Sequence, residues 1–150
     1  MTFDLNVLIQ RLDPGLPIPQ RERPGDAGFD IYSRQDHVLR PGERVLIATG
    51  LAVALPNGFV ALVHPRSGLA AKHGFTLVNA PGTIDAGYRG EISVIGLNTG
   101  SSDFSVKRGD RIAQLVFLEL PHVVIHEVTE LPQSVRSSEG FGSTGGHDRT

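Results

Sequence analysis

The sequence lacks cysteine altogether, and it also lacks any long apolar run. Without cysteine the chain forms no disulfide, has no thiol nucleophile, and offers none of the thiolate ligands that most structural zinc sites use. No stretch approaches the ~18 successive apolar residues that a membrane-spanning helix needs. Met1–Gly15 has no basic region followed by an apolar run, as a targeting peptide would. We therefore expect a cytoplasmic protein that does not bind membranes.

An excess of charge of either sign is also missing. The 14 Lys and Arg residues nearly balance the 16 Asp and Glu residues, which gives a formal net charge of −2 and a pI near 6.3. Such a chain has no general attraction for nucleic acid or for anionic surfaces. We expect no nucleic-acid partner, and any phosphate site must be local. The length of 150 residues allows one hydrophobic core but not two ordinary domains.

Turn-forming residues are plentiful, with 18 Gly and 10 Pro. Apolar residues alternate with polar ones over residues 3–9, which predicts a half-buried strand. Further strands are predicted at 45–55, 59–63, 91–98, 111–118 and 122–128. Many short strands separated by turns indicate an all-β sandwich, barrel or jelly roll. The single predicted helix is Ser67–Gly74, with Ser67 as its N-cap and Gly74 as its stop.

The start of this predicted helix follows a cation. Arg66 precedes Ser67 and Gly68, whose backbone N–H groups at a helix start can bind an anion. An ordinary helix start beside a surface arginine explains the same residues equally well. Upstream, Asp30 lies between two apolar residues. It is either an exposed strand residue, which the local sequence favours, or a carboxylate aimed at a cation.

The segment Asn79–Glu91 (NAPGTIDAGYRGE) mixes turn residues with acidic, basic and aromatic ones. Ala86–Gly87 can form the tip of a β-hairpin. Asp85 and Tyr88, one on each arm, would then face a common cleft, and Gly82 would let a flat ring lie against the backbone. A carboxylate beside an aromatic floor is suited to activating water next to a bound base or sugar. A turn without a site remains the alternative, because Asp-Ala-Gly is also common turn chemistry.

The tail Ser137–Thr150 is rich in glycine, and its composition alone indicates a disordered end. Its motif at Gly140–Gly145 is not a dinucleotide-binding fingerprint, because no βαβ unit surrounds it. The glycines could still bring backbone N–H groups close to a phosphate, with Arg136 as a cation and Phe141 as a stacking plane. The six His residues show no spacing suited to a shared metal ion, and we take none of them as a ligand.

Five stretches follow one another along the chain as AGFDIYS (27–33), PRSGLA (65–70), NAPGTIDAGYRGE (79–91), RGDRIAQLVF (108–117) and RSSEGFGSTG (136–145). In this order they closely resemble the five motifs of the trimeric dUTP pyrophosphatases, the dUTPases. The resemblance implies a β-clip or jelly-roll-like barrel with one short helix, assembled as a homotrimer with shared active sites. It also implies hydrolysis of dUTP to dUMP and pyrophosphate with Mg²⁺, which keeps uracil out of DNA and supplies dUMP for thymidylate synthesis.

The resemblance implies roles for the residues of the third motif. Asp85 would activate the water that attacks the α-phosphorus. Tyr88 would pack under the deoxyribose and leave no room for a 2′-hydroxyl. The uracil edge would be read by a side chain and by hairpin backbone, namely Asn79, Gly82, Thr83 and Ile84.

The other motifs would bind the triphosphate. The phosphate-binding residues of the second and fourth motifs would be Arg66, Ser67, Gly68 and Gln114. Asp30 of the first motif would reach Mg²⁺ through water. A flexible arm of residues 136–150, attached to a β domain of residues 1–135, would close over the site. Its substrate contacts would come from Arg136 on the γ-phosphate, Phe141 stacked on uracil, Gly142 and Ser143. Two departures from the family pattern are Ile31 for the usual Leu and Ser137 for a frequent Gly.

Two other functions fit a related fold. A dCTP deaminase-related enzyme would carry a Glu on the strand after the hairpin, whereas Ser93–Gly96 contains no acid. A non-catalytic nucleotide-binding or regulatory homologue would have lost Asp85, Arg66 or Gln114, and all three are present. The sequence therefore favours the hydrolase.

Overall fold

The computed structural model describes residues 4–134 of the chain. Within them eleven strands and one helix follow one another: β1 (Leu8–Arg11), β2 (Phe29–Tyr32), β3 (His37–Leu39), β4 (Arg44–Ala48), β5 (Leu51–Ala54), β6 (Phe59–His64), α1 (Ser67–His73), β7 (Phe75–Leu77), β8 (Gly82–Ile84), β9 (Ser93–Asn98), β10 (Phe104–Val106) and β11 (Arg111–Glu119). The predicted arm, with Arg136, Phe141, Gly142 and Ser143, lies outside the described residues.

Antiparallel pairing organises the strands into small sheets. A four-stranded sheet has the order β2-β11-β6-β8, a three-stranded sheet has the order β4-β9-β7, and β1-β5 and β10-β3 form two-stranded pairs. The longest strand, β11, lies between β2 and β6 and pairs with both. The predicted all-β, jelly-roll-like fold with one short helix is confirmed.

One core lies between these sheets. Alternation on β9 buries every second side chain, as expected for a strand with one face on a core. Phe75 is fully buried, and its ring lies over Gly96, where a Cβ atom would come within 2.8 Å of it. The buried amide of Asn98 donates to the carbonyls of Leu39 and Ser102, both at 2.9 Å. A satisfied polar group of this kind costs little to bury and joins β9 to its neighbouring loops.

The predicted strand at 122–128 is wrong. Residues 121–134 form no strand, and all of them are exposed; the exposed fraction reaches 90% at Ile125. The apolar alternation is present in the sequence, but no strand within residues 4–134 pairs with this segment. Alternation alone does not make a strand, because the backbone also needs hydrogen-bonding partners.

Two predicted strands on the N-terminal side have different bounds. The strand predicted at 3–9 as half-buried is instead Leu8–Arg11, whose residues are all exposed. The strand predicted at 45–55 is divided into β4 and β5. Gly50, with φ of 66°, turns the chain between them, in the left-handed region that glycine adopts without strain.

The predicted helix forms over Ser67–His73, but its cap differs from the prediction. The N-cap is Arg66, not Ser67, and no side chain donates or accepts a capping bond. Gly74 ends the helix in the left-handed conformation, as predicted. No helix within residues 4–134 is long and apolar enough to cross a bilayer.

Candidate active site

A cleft of about 180 Å³ lies beside the Asn79–Glu91 segment, and we call it the hairpin cleft. β9 and Val63 of β6 complete its wall. The structure brings together here every residue that the third motif assigned to base, sugar and water. These lining residues are Asn79, Gly82, Thr83, Ile84, Asp85 and Tyr88.

Strand β8 positions the floor of the hairpin cleft. Gly82 is buried and pairs with Val63 of β6, while Thr83 is exposed. A Cβ atom at Gly82 would lie 3.4 Å from Asn79 Nδ2. Gly82 therefore packs closely against the Asn79 amide and Val63, and this packing places the amide beside the β8 backbone in the cleft.

The predicted hairpin is only half correct. The Tyr88 N–H donates to the Asp85 carbonyl at 3.0 Å and closes a turn over Ala86–Gly87. Residues 88–92 then leave the sheet, and β8 pairs with β6 instead of with a returning arm. Arg89 Nη1 donates to the carbonyls of Ala86 at 2.6 Å and Tyr88 at 2.8 Å. Its guanidinium thus satisfies turn carbonyls that no neighbouring strand uses.

The Asp85 carboxylate is exposed at the edge of the hairpin cleft. No cation within residues 4–134 forms an ion pair with it. A carboxylate in this setting keeps its lone pairs available to accept a proton from water.

A second cavity, of about 600 Å³, lies between α1 and the β2–β11 pair, and we call it the arginine cavity. Asp30 of β2 and Gln114 of β11 are direct cross-strand neighbours. The amide Nε2 of Gln114 donates to the Pro65 carbonyl at 3.0 Å. The lining includes all the residues predicted for phosphates and metal: Asp30, Arg66, Ser67, Gly68 and Gln114.

Two guanidinium groups hold the Asp30 carboxylate. Arg66 Nε lies 3.0 Å from Oδ1, and Arg111 Nη1 lies 3.3 Å from Oδ2. Arg111 also pairs with Glu22 at 2.8 Å. The Asp30 side chain is only 14% exposed, so the local-sequence expectation of an exposed strand residue is wrong. Fixed pairing of this kind orients both arginines before any ligand binds.

The start of α1 presents backbone donors to the arginine cavity. The N–H groups of Leu69 and Ala70 donate to the Arg66 carbonyl at 3.1 and 3.0 Å. Within residues 4–134 the N–H groups of Ser67 and Gly68 have no such acceptor. Together with the Arg66 guanidinium they can bind phosphate oxygens.

Within residues 4–134 no three His, Asp or Glu side chains converge to hold a metal ion. Both Asp30 oxygens already face guanidinium groups, which leaves this carboxylate poorly placed for direct coordination. Mg²⁺ usually keeps several waters and is held by few carboxylates plus substrate phosphates. The residues of the arginine cavity would therefore fit a hydrated Mg²⁺ better than one bound directly by carboxylates.

The hairpin cleft and the arginine cavity have no lining residue in common. One chain therefore keeps the two groups of predicted site residues apart. Sequence reasoning did not single out Glu91, Gly28 or Arg111, which line these cavities. All three lie inside the five motifs and close along the chain to Asp85, Asp30 and Gln114 respectively, so membership of a motif is the signal that could have marked them.

The fold and these cavities define a class of protein. An all-β chain with one cleft that brings together an amide, an aromatic ring and a carboxylate, and a second cavity with guanidinium and backbone N–H donors, is suited to a nucleotide. The family model described as dUTPase matches residues 15–145.

Relatives and solved structures agree with this match. The deoxyuridine 5′-triphosphate nucleotidohydrolase of Thermobifida fusca is 57% identical over 144 residues, which cover 95% of this chain and 80% of the relative. The protein of the same name from Mycolicibacterium gilvum is 53% identical over 150 residues, covering 95% of this chain and 96% of the relative. The solved dUTPase of Staphylococcus bacteriophage 80alpha with dUpNHpp has a TM-score of 0.86 at 29% identity, over 93% of this chain and 98% of that one. This chain belongs to the dUTPase family, as its motifs predicted.

Proposed function

We propose that the chain hydrolyses dUTP to dUMP and pyrophosphate. The family match and the names of the relatives confirm the predicted enzyme class, a dUTP diphosphatase. The main structural support for the proposal is that Asn79, Asp85 and Tyr88 line the same cleft. The reaction would keep uracil out of DNA and supply dUMP for thymidylate synthesis, and we propose the cytoplasm as its location.

Asp85 is the proposed general base. Its carboxylate accepts a proton from water as the water oxygen bonds to the α-phosphorus. The bond from the α-phosphorus to the bridging oxygen breaks, and that oxygen leaves with pyrophosphate. General-base catalysis typically contributes about 10² to 10⁴-fold. The exposed position of Asp85, without a competing cation in the described part of the chain, supports this role.

Base and sugar selection are assigned to the rest of the hairpin cleft. Asn79 and the backbone of Gly82, Thr83 and Ile84 would read the uracil edge, with too little space for a thymine methyl group. Tyr88 would pack against the deoxyribose and exclude a 2′-hydroxyl. The position of the Asn79 amide and of the β8 backbone in the lining of one cleft supports this assignment.

The phosphates are assigned to the arginine cavity. Arg66, Ser67, Gly68 and Gln114 would donate to phosphate oxygens, and Asp30 would reach Mg²⁺ through its water shell. Bound to the triphosphate, Mg²⁺ would neutralise phosphate charge. The ion pair between Asp30 and Arg66 supports a preformed arrangement. A variant of the dUTPase from phage phi11 of S. aureus, similar with a TM-score of 0.78 at 27% identity, is described with a structural Mg(II) ion.

A homotrimer with shared active sites would unite the two cavities. One triphosphate must contact both sets of residues, yet within a single chain they line separate cavities. The segment after β11 supports contact between subunits because its apolar side chains are exposed in one run: Leu120, Val123, Val124, Ile125, Val128 and Leu131. Contiguous exposed apolar residues mark interaction surfaces. The arm with Arg136, Phe141, Gly142 and Ser143 would then complete the site over the substrate.

The test is pyrophosphate release from dUTP, dTTP, dCTP and UTP with Mg²⁺. We expect turnover of dUTP and very little of the other three. Equal turnover of dTTP or UTP would contradict the assignments of the base and sugar pocket. Ammonia release from dCTP would favour a deaminase-related enzyme. Binding of dUpNHpp without any turnover of dUTP would favour a non-catalytic nucleotide-binding homologue.

A further inference from the structure

The Tyr88 side chain is half-exposed yet held at several points. Its hydroxyl donates to the Glu91 carbonyl at 3.0 Å, and its N–H donates to the Asp85 carbonyl at 3.0 Å. A Cβ atom at Gly90 would overlap the hydroxyl end of the ring, so the ring lies directly on the Gly90 backbone. With 46% of Tyr88 exposed, one face of the ring remains open to the hairpin cleft. The orientation of that face depends on the position of the Glu91 carbonyl.

Glu91 is in turn held by residues that lie outside the third motif, Arg34 and Gly50. Its Oε1 accepts the Gly50 N–H at 2.8 Å and pairs with Arg34 Nη1 at 3.2 Å. The peptide unit that carries the Glu91 carbonyl also contains the Ile92 N–H, which donates to the Leu51 carbonyl at 2.7 Å. The side chain of Glu91 thus bonds to Gly50 in the turn between β4 and β5, and the following peptide bonds to the first residue of β5.

The carboxylate of Glu91 is engaged by Arg34 and by the Gly50 N–H. Glu91 lines the hairpin cleft, but both its oxygens lie near Arg34 Nη1, at 3.2 and 3.4 Å. The side chains of this pair are 25% and 37% exposed. A carboxylate engaged in this way acts as a brace that holds the chain after Tyr88 in place.

We infer that Glu91, held by Arg34 and Gly50, is a positioning residue for sugar recognition. It fixes the carbonyl that receives the Tyr88 hydroxyl bond, and thereby the ring surface that separates deoxyribose from ribose. The inference rests on the proposed function, because it takes Tyr88 as the surface under the sugar. It adds residues of the β2–β3 connection and the β4–β5 turn to the determinants of specificity.

The experiment measures kcat and KM for dUTP and UTP in the full-length protein. The variants are Glu91→Gln, Arg34→Gln, Tyr88→Phe and the double variant Glu91→Gln with Tyr88→Phe. We expect each single variant to lower the ratio of kcat/KM for dUTP to kcat/KM for UTP by about fivefold, mainly through KM. This is the effect expected when one hydrogen bond that orients the Tyr88 ring is lost. The double variant should be no less selective than Tyr88→Phe, because the hydroxyl through which Glu91 acts is already absent. If Glu91 acted only on stability, the ratio of kcat/KM for dUTP to kcat/KM for UTP would not change.

Glu43→Gln is the matched control. Glu43 also accepts a backbone N–H, that of Arg40 at 2.8 Å, in a turn that does not line the hairpin cleft, and its variant should keep the parental ratio. Arg34→Gln leaves Glu91 bonded to Gly50 and tests the same brace if Glu91→Gln fails to fold. A parent protein that cannot hydrolyse dUTP refutes the proposed function. An active parent whose Arg34 and Glu91 variants keep the parental ratio, or whose double variant shows additive losses, overturns the positioning role.

Discussion

Gly28 lies directly against the side chain of Gln114, and a Cβ atom at position 28 would overlap the Gln114 amide oxygen. Gln114 is held at the same time by its bond to the Pro65 carbonyl. The first and fourth motifs therefore fix one another across β2 and β11. An alanine at position 28 would therefore force the Gln114 amide to move.

Gly28→Ala should displace the Gln114 amide and weaken phosphate binding. Because a hydrogen bond to a charged group is lost, we expect kcat/KM for dUTP to fall by about tenfold or more. Steady-state kinetics, together with inhibition by pyrophosphate, would measure the loss. A variant with parental kcat/KM would contradict the assignment of Gln114 to the phosphates.

Asp85→Asn should remove the general base and preserve the shape of the hairpin cleft. We expect turnover to fall by about 10² to 10⁴-fold, whereas calorimetry should give nearly the parental affinity for dUpNHpp. Asp103→Asn, an exposed acid in the turn before β10, is the matched control and should keep parental turnover. Undiminished turnover in Asp85→Asn would refute the assignment of the base.

The sequence correctly predicted those strands and helix ends that depend on neighbouring residues along the chain. The β6 and β11 strands follow from apolar runs, and Gly74 ends α1 because glycine adopts the left-handed conformation without strain. The failures have non-local causes. Ser67 has good capping chemistry, but the chain bends one residue earlier, at Arg66. The alternation at 122–128 has no partner strand within the described residues, and only pairing would make it a strand.

The motifs predicted which residues line each cavity but not how those residues are held. The local sequence predicts an exposed Asp30, yet ion pairs with Arg66 and Arg111 hold its carboxylate, and only 14% of its side chain is exposed. These partners are far away in sequence, so no local pattern could reveal them. The brace on Glu91 is similar, since Arg34 is separated from it by 57 positions. The motifs therefore identify which side chains form the site, whereas contacts between residues far apart in sequence determine how those side chains are oriented.

Asp30→Asn should raise the Mg²⁺ concentration needed for half-maximal dUTP hydrolysis. The neutral amide attracts the hydrated cation less and also loosens Arg66. A Mg²⁺ titration at saturating dUTP would measure the shift. Glu22→Gln, which also loses a pair with Arg111, controls for the loss of an arginine partner. If Asp30→Asn changes only KM for dUTP, and the Mg²⁺ midpoint stays parental, Asp30 acts through the arginines and not on the metal.

Stability should fall in acid because of a charge cluster whose residues line neither the hairpin cleft nor the arginine cavity. The hydrogen bond from the Arg108 side chain holds the pKa of Asp13 below its ordinary value of 3.8. The Arg108 backbone N–H, followed by the Lys107 side chain, lowers the pKa of Asp36. A carboxyl whose pKa is lower when folded contributes stability above its unfolded pKa and loses it as pH falls through the folded pKa.

The double variant Asp13→Asn with Asp36→Asn tests this cluster. We expect it to be less stable than the parent at pH 7, and the difference should shrink as the pH falls below 3.8, the ordinary value of both carboxyls. Urea midpoints at several pH values would measure it. A stability difference that is the same at neutral and acid pH would show that these carboxylates do not act through their charge.

Mixing two inactive variants tests whether active sites are shared between subunits. Asp85→Asn lacks the proposed base, and Arg66→Gln lacks the proposed phosphate donor, so each should be inactive alone. If Asp85 and Arg66 of one site come from different subunits, trimers reassembled from an equal mixture should have about a quarter of their sites intact. Activity should therefore return on co-refolding, with light scattering used to verify a trimer. A mixture that reassembles into trimers and stays inactive would place both residues of each site on the same chain, and the separation of the two cavities would then require a conformational change within one subunit.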